Sequence, residues 1–145
     1  MKWKLSGKAA MVVVSLLAMG GLAIPAPAQN PPASTYRGGP FQPVARIDPA
    51  KAVQIKIVNK NTEPVEFIVT TQTGFRRLAP GQSTQLSGIR LPAYLTISPI
   101  RDRTAIRYVV TTDSKNNMSI VEVYPAGTTG HRSLNIDPTG GVYIF

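Results

Sequence analysis

From residue 52 onward, apolar and polar residues alternate along the chain in short runs. The run at 53–57 alternates three β-branched residues with Gln54 and Lys56, and the runs at 65–69 and 106–110 repeat the pattern. A period of two in β-branched residues is typical of a strand with one buried face. We therefore predict strands in these runs, and further short strands at 75–78, 83–86, 92–99, 118–124 and 140–145, with 133–136 as an additional candidate.

Turn-forming residues separate these runs at regular intervals, and no run beyond the N-terminus has a helical period. This spacing is typical of all-β domains. We predict a small antiparallel sandwich, immunoglobulin-like, or a small barrel, with about seven to eight short strands in residues 51–145.

The alternation also predicts how two pairs of strands align. If residues 59–63 form a hairpin loop, Lys56 lies opposite Glu66 on the outer face of a sheet. A second polar loop at 113–117 predicts a hairpin that pairs Val110 with Val121.

Two turn motifs follow one another, NKNTEPV at 59–65 and LAPGQS at 78–83. Proline followed by glycine at 80–81 favours a type II turn, because glycine accepts the positive φ that this turn requires. Together the motifs resemble the early strands of many immunoglobulin-like secreted sandwiches. The resemblance rests on turn chemistry, so it implies a fold and no functional residues.

Residues 1–28 are typical of a secretory signal peptide. Lysines at 2, 4 and 8 precede an apolar run at 9–24, and Ala26-Pro27-Ala28 follows as a cleavage motif. The run is shorter than the ~20 residues that span a bilayer. We expect cleavage after Ala28 and a secreted or periplasmic protein; the alternative is an uncleaved N-terminal anchor. No later segment predicts a transmembrane helix.

Residues 29–50 are rich in proline and glycine and have no regular period. Proline lacks the amide donor that a strand needs and favours extended backbone before it. We predict an extended tail or linker here, followed by a β-domain at 51–145. Aromatic and basic residues in the tail could contact a polymer or a partner protein.

Composition narrows the function. The chain has no cysteine, which excludes disulfides, thiol catalysis and cysteine-based zinc sites. Its formal charge is +9, and three of its lysines lie in the predicted signal. A basic surface favours anionic polysaccharide, cell-wall polymer or a surface protein as partner. Neither an aromatic RNA-binding motif nor a basic helix indicates nucleic acid.

Nothing in the sequence indicates catalysis. His131 is the only histidine, so a serine–histidine system would have to combine it with residues such as Ser133 and Asp137. No nucleophile-elbow motif precedes any serine. The carboxylates are scattered along the chain, and the two that are closest in sequence, Glu63 and Glu66, flank a tight loop instead of a cleft. We expect no enzyme activity, no metal site and no cofactor.

Arginine is the residue type that best predicts a binding surface, because its planar fork matches carboxylate, sulfate and phosphate. Neighbouring strand residues point to opposite faces, so Arg76 and Arg77 can share a ligand only if the strand ends or bulges there. The alternative is a set of charges that prevents sheet edges from aggregating. The predicted anion-binding set is Arg76, Arg77, Arg90, Arg101 and Arg103.

These observations predict a non-enzymatic, exported β-sandwich that acts at the cell surface and binds an anionic polymer or a partner protein through arginine-rich loops. A second hypothesis is a structural component of a surface fibre or extracellular matrix. Such a protein would self-associate by strand addition, using its last strand or its N-terminal tail.

Overall fold

The computed structural model describes residues 42–101 and 104–145. The predicted signal peptide, its cleavage site, most of the predicted tail and Arg103 lie outside these residues. The described residues form strands and no helix. The strands are β1 (Ala45–Arg46), β2 (Val53–Asn59), β3 (Val65–Val69), β4 (Arg76–Leu78), β5 (Ser83–Ile89), β6 (Ala93–Pro99), β7 (Ile106–Asp113), β8 (Met118–Pro125), β9 (Ser133–Ile136) and β10 (Gly141–Ile144).

The strands form two sheets that enclose one apolar core. Sheet A has the order β1-β10-β9-β6-β3-β4, and sheet B has the order β5-β2-β8-β7. Neighbouring strands are antiparallel except β2 and β8, which run parallel. The predicted all-β class is confirmed, with two sheets as expected for a small sandwich. The described residues contain ten strands where about seven to eight were predicted, and the parallel pair β2–β8 departs from the predicted antiparallel arrangement. The alternating apolar residues face the core as predicted, and Ile55, Ile57 and Leu95 have no exposed surface.

The predicted hairpin of β7 and β8 is confirmed in its register. Val110 lies opposite Val121, and Tyr108 lies opposite Val123. The register is fixed because a shift of one residue would turn the core-facing side chains of one strand toward solvent.

The predicted hairpin of β2 and β3 is wrong. β2 pairs with β5 and β8 in sheet B, whereas β3 pairs with β4 and β6 in sheet A. Lys56 therefore lies opposite Gln85, and Glu66 lies opposite Arg77. Alternation identifies the buried face of each strand but not its neighbour. The same pattern occurs in two strands that pair in one sheet and in two strands that face each other across the core from different sheets.

Asn59 explains why the connection from β2 to β3 crosses between the sheets. Asn59 is the last residue of β2, and its side chain is fully buried. The amide donates to the carbonyls of Glu63 and Leu78, both at 2.9 Å, and its oxygen accepts the N–H of Asn61 at 3.0 Å. The loop is thus an arch held by side-chain hydrogen bonds.

The Pro80-Gly81 turn forms as predicted, but its flanking strands do not pair with each other. Gln82 donates its N–H to the Ala79 carbonyl at 3.1 Å, and Gly81 has a φ of 76°. β4 belongs to sheet A and β5 to sheet B. The turn is held to β2, because Gly81 donates to the Asn59 carbonyl at 2.8 Å.

The folded domain begins upstream of Lys51, within the segment that we expected to be tail. β1 pairs with β10, and Ile47 is buried in the core. Asn117 fixes this segment, because its side chain accepts the Asp48 N–H and donates to the Asp48 carbonyl, both at 2.8 Å. A strand of two residues is too short to show a periodic pattern, so β1 could not be predicted from the sequence.

Candidate functional site

One side of the sandwich is formed by two edge strands, β4 of sheet A and β5 of sheet B, joined by the turn at 79–82. Four of the predicted arginines lie on this side or at its ends. We call it the arginine side and define it by Arg76, Arg77, Arg90 and Arg101.

The sequence that builds the arginine side contains no carboxylate. Residues 67–101 include these four arginines and no aspartate or glutamate. Among the described residues, the carboxylates that pair with these arginines are Glu63, in the loop before β3, and Glu66, within β3. A surface lined by one sign of charge attracts ligands of the opposite sign.

Arg76 and Arg77 are both exposed, although they are neighbours in a strand. β4 begins at Arg76 and lies at the sheet edge, so neither side chain is forced beneath a neighbouring strand. Arg77 lies opposite Glu66, with its Nε 3.8 Å from the carboxylate. Arg76 has no ion pair among the described residues.

Arg90 lies at the far end of β3, beside the turn that joins β3 to β4. The Gln72 side chain holds its backbone, accepting the Arg90 N–H and donating to the Arg90 carbonyl, both at 2.8 Å. The backbone is thus fixed on both sides while the residue is exposed. Its guanidinium has no carboxylate within ion-pair distance in the described residues.

Arg101 lies at the opposite end of β3, where Ile100 donates its N–H to the Pro64 carbonyl. Its guanidinium is 3.6 Å from the Glu63 carboxylate, and its side chain is 82% exposed. In both ion pairs the arginine is exposed and the glutamate is half-buried. Surface pairs of this kind contribute only about 0–1 kcal/mol, so an anionic ligand can compete with Glu63 or Glu66 at little cost.

The four arginines are therefore distributed along the length of β3, from the residues before it to the turn after it. Arg90 and Arg101 mark the two ends of β3, and a strand of five residues spans about 15 Å. Such a spacing is too long for a single small anion. It suits a chain of regularly spaced negative groups, each meeting one arginine.

A second surface feature is a cleft of about 710 Å³ between the end of β6, the beginning of β7 and the loop at 126–132. Hydroxyl groups, His131 and Arg132 line it, with no carboxylate among the lining residues. His131 accepts the backbone N–H of Tyr108 at Nδ1, at 2.8 Å. Burial and the nearby charge of Arg107 lower the pKa of His131.

His131, Ser133 and Asp137 do not form a relay. Ser133 begins β9, and Asp137 follows the other end of that strand. The Asp137 carboxylate accepts hydrogen bonds from Thr139, Gly141 and Tyr143. His131 instead uses Nδ1 to satisfy a backbone donor of the edge strand β7. In the described part of the chain, no cluster of three metal-ligating side chains occurs.

Sequence reasoning missed a set of exposed aromatic residues. Tyr94 is 51% exposed, Phe75 70% and Phe145 61%. Tyr94 lies at an outward-facing position of β6, and Phe145 directly follows β10, two residues after Tyr143, a signal that the alternation itself carries. Their mutual arrangement depends on strand order, which the sequence does not provide.

No protein-family model, no curated protein and no solved structure matches the chain. Among residues 42–101 and 104–145, no helix is long and apolar enough to cross a membrane.

Proposed function

We propose that the chain is a non-enzymatic, exported β-sandwich that binds a linear anionic polymer at the cell surface along its arginine side. The observation that supports this most strongly is the distribution of charge. Arg76 and Arg77 lie on the edge strand β4, and Arg90 and Arg101 lie near the two ends of β3, which are about 15 Å apart, while Glu63 and Glu66 pair with only two of the four arginines.

The energetics favour a polymer over a single ion. Each exposed arginine contributes little alone, because water and salt screen its charge. Several arginines that meet one chain act together, since each later contact is intramolecular once the first has formed. The interaction should be salt-sensitive, because it replaces counterions on both partners.

The first experiment measures binding of residues 29–145 to alginate, anionic phospholipid vesicles and double-stranded DNA across a salt series. Binding to alginate or DNA that weakens steeply with salt and is stronger than binding to the vesicles supports the proposal. Equal binding to all three contradicts it. No binding at low salt to any of the three contradicts it, and the positive charge then contributes only to solubility.

Export is part of the proposal and rests on the N-terminal sequence. Cleavage after Ala28 gives a mature protein that begins at Gln29. The intact mass of protein recovered from outside the cytoplasm tests this. A mass that retains residues 1–28 would mean that the segment remains as an anchor.

We also propose that the sandwich is immunoglobulin-like. Two arches that cross between the sheets support this, at 60–64 and 79–82. A buried tyrosine also supports it, because the Tyr108 hydroxyl of sheet B donates to the Ile97 carbonyl of sheet A at 2.8 Å. The test is an experimental structure of the domain, whose strand order is compared with that of immunoglobulin domains by superposition.

Assembly by strand addition is a second candidate function, favoured by one observation. β5 is an edge strand of seven residues with no charged side chain and no proline, whereas edges that avoid pairing usually carry such residues. The last strand is a poor donor, because β10 already pairs with β1 and β9. Self-association that survives high salt and is lost in Gln85→Pro would support this function.

A further inference from the structure

The edges of the two sheets differ in how much backbone they expose. In sheet A the edge strands are short, two residues in β1 and three in β4. In sheet B the edge strand β7 is partly covered by the loop at 126–132, because His131 accepts the Tyr108 N–H and donates its own N–H to the Ile106 carbonyl. The other edge, β5, has seven residues, and no strand of the described chain lies beyond it. Among the described strands, β5 is therefore the longest edge without such a cover.

The register of β5 against β2 shows which of its backbone groups face outward. The Asn59 N–H donates to the Gln82 carbonyl at 2.9 Å. Bonded and non-bonded positions alternate along an antiparallel pair, so Thr84 and Leu86 form hydrogen bonds with β2. The residues whose N–H and C=O groups are directed away from the sheet are then Ser83, Gln85 and Ser87. All three are exposed, so these groups are accessible to a further strand.

β5 lacks the features by which natural proteins prevent a sheet edge from pairing. Its sequence, STQLSGI, contains no charged residue and no proline, which are the residues that usually protect an edge. The regular part of the edge ends at Gly88, which has a φ of 69° and lies where the register against β2 shifts. A further strand can therefore pair along residues 83–87.

Arg76 lies on the core-facing side of β4, although it is exposed. It is opposite Phe67, which is buried in the core, whereas Arg77 is opposite Glu66 on the outer face. Residues opposite each other in a pair of strands share a face of the sheet. Because β4 is the last strand of sheet A, no neighbouring strand covers Arg76. Arg76 therefore lies at the opening between the edges of the two sheets.

The turn at 79–82 brings Arg76 level with Gln85. Each lies three residues from the turn, Arg76 in β4 and Gln85 in β5. Packed sheets are about 10 Å apart, a distance that the side chains of an arginine and a glutamate span together. A strand added beside β5 would direct every second side chain toward sheet A. An acidic side chain there would meet Arg76, which has no ion pair among the described residues.

We infer that the anionic polymer is an acidic polypeptide, an extended segment of a partner protein that adds to β5 as an antiparallel strand and places a carboxylate at Arg76. The inference rests on the proposed function and names its partner class. An extended polypeptide presents N–H and C=O groups at the spacing of the outward groups of β5, and a polysaccharide does not. Antiparallel pairing is the more stable of the two directions.

Charge favours an acidic segment over a second copy of the chain. Pairing two β5 strands antiparallel would bring the arginine sides of two copies together, with Arg76 and Arg77 of each copy close to the shared edge. Like charges that face each other across an interface disfavour it. A segment that carries carboxylates instead complements these arginines.

The experiment measures binding of residues 29–145 to three peptides by fluorescence anisotropy. Each peptide alternates threonine and glutamate over about ten residues, the length of a long strand. One is unmodified, one is N-methylated at every threonine, and one is N-methylated at every glutamate, so all have the same charge. When the glutamates face Arg76 in an antiparallel pair, the threonine N–H groups bond to β5 and the glutamate N–H groups point away. Alginate is the comparison polymer, because it has negative charge and no amide groups.

Protein variants test the two parts of the site separately. Gln85→Pro removes an outward N–H of β5 without removing a bond to β2. Arg76→Gln removes the charge beside the edge. Arg107→Gln, on the opposite edge strand of sheet B, is its matched control. The comparison of the methylated peptides uses the parent protein, so it does not depend on the folding of a variant.

We expect the unmodified and glutamate-methylated peptides to bind with similar affinity. The threonine-methylated peptide should bind at least tenfold more weakly, the scale of losing two or more hydrogen bonds. Gln85→Pro should weaken peptide binding and leave alginate binding unchanged. Arg76→Gln should weaken both by about threefold to fivefold, and Arg107→Gln should behave like the parent.

Equal affinity of the two methylated peptides would overturn the inference, because charge alone would then account for binding. Alginate binding without peptide binding would overturn it while the proposed function stands. If no peptide binds and Gln85→Pro abolishes self-association of the protein in sedimentation, β5 is an interface between copies of the chain and the inference is wrong. No binding to alginate or to any peptide would contradict the proposed function as well.

Discussion

The backbone N–H of Tyr108 donates to Nδ1 of His131 at 2.8 Å, which joins the edge strand β7 to the loop at 126–132. The same loop residue donates its own N–H to the Ile106 carbonyl at 2.7 Å. One histidine thus covers both a donor and an acceptor of an exposed sheet edge. Because Nδ1 must be unprotonated to accept, this closure depends on pH.

Acidification below neutral pH should weaken the domain through His131. Burial, together with the charge of Arg107, lowers the pKa of His131 below that of a free histidine. The unfolded chain therefore takes up the proton first, so the stability that His131 contributes is complete above its unfolded pKa of about 6.5 and declines as pH falls. Urea unfolding at pH 7.5 and 5.5 measures the loss.

Asn and Ala substitutions at His131 provide the controls for this titration. His131→Asn keeps an acceptor near the position of Nδ1 and cannot titrate, so it should unfold at similar urea concentrations at both pH values. His131→Ala should be less stable than the parent at pH 7.5. A parent protein and His131→Asn with the same pH dependence would contradict the account.

Asn59→Ala should be among the most destabilising single changes in the domain. It leaves the carbonyls of Glu63 and Leu78 and the N–H of Asn61 without their partner in a buried site. Leaving buried polar groups unpaired costs about 1–3 kcal/mol each, so we expect a loss of roughly 3 kcal/mol or more. Denaturant unfolding checks this, with the exposed Asn116→Ala as the control expected to cost much less.

Gly140→Ala tests whether the segment before Lys51 belongs to the fold. Gly140 has a φ of 84°, and a Cβ there would overlap the Ile47 carbonyl oxygen. To relieve the overlap, Ile47 must move out of the core; if it does not move, the backbone at residue 140 stays strained. In both cases we expect the free energy of unfolding to fall by about 2 kcal/mol or more. Gly74→Ala is the matched control, because no atom lies within 4 Å of its added Cβ. Equal melting temperatures for the two variants would contradict the placement of β1.

The sequence predicts local features of this fold and not the strand order. Alternation identifies the buried faces of β2, β3, β6 and β7, because burial on one side imposes a period of two whatever the neighbouring strand is. The β7–β8 hairpin is predictable since a short polar loop closes it locally. The arch after Asn59 resembles a hairpin in sequence, and its one distinguishing signal is a polar residue at the core-facing position that follows Ile57.

The candidate sites divide in the same way. The arginines are recognisable as a set from their number and from the absence of neighbouring carboxylates. Their distribution along β3 is not, because it requires β4 and β5 to be edges of different sheets. The surroundings of the exposed aromatic residues are not predictable either, because Tyr94 is paired with Asn135, which is far from it in sequence and adjacent only once sheet A has formed.

The central claim is that the arginine side binds a linear anionic polymer. The most direct test is the affinity of residues 29–145 for alginate across a salt series, for the parent, for Arg76→Ala with Arg77→Ala, and for a matched control, Arg107→Ala with Lys115→Ala. The control removes the same charge near the opposite edge of sheet B. The account predicts a clear loss of affinity and a shallower salt dependence in the first double variant, with affinity close to that of the parent in the second. Equal effects of both double variants would contradict it, because net charge and not the arginine side would then govern binding.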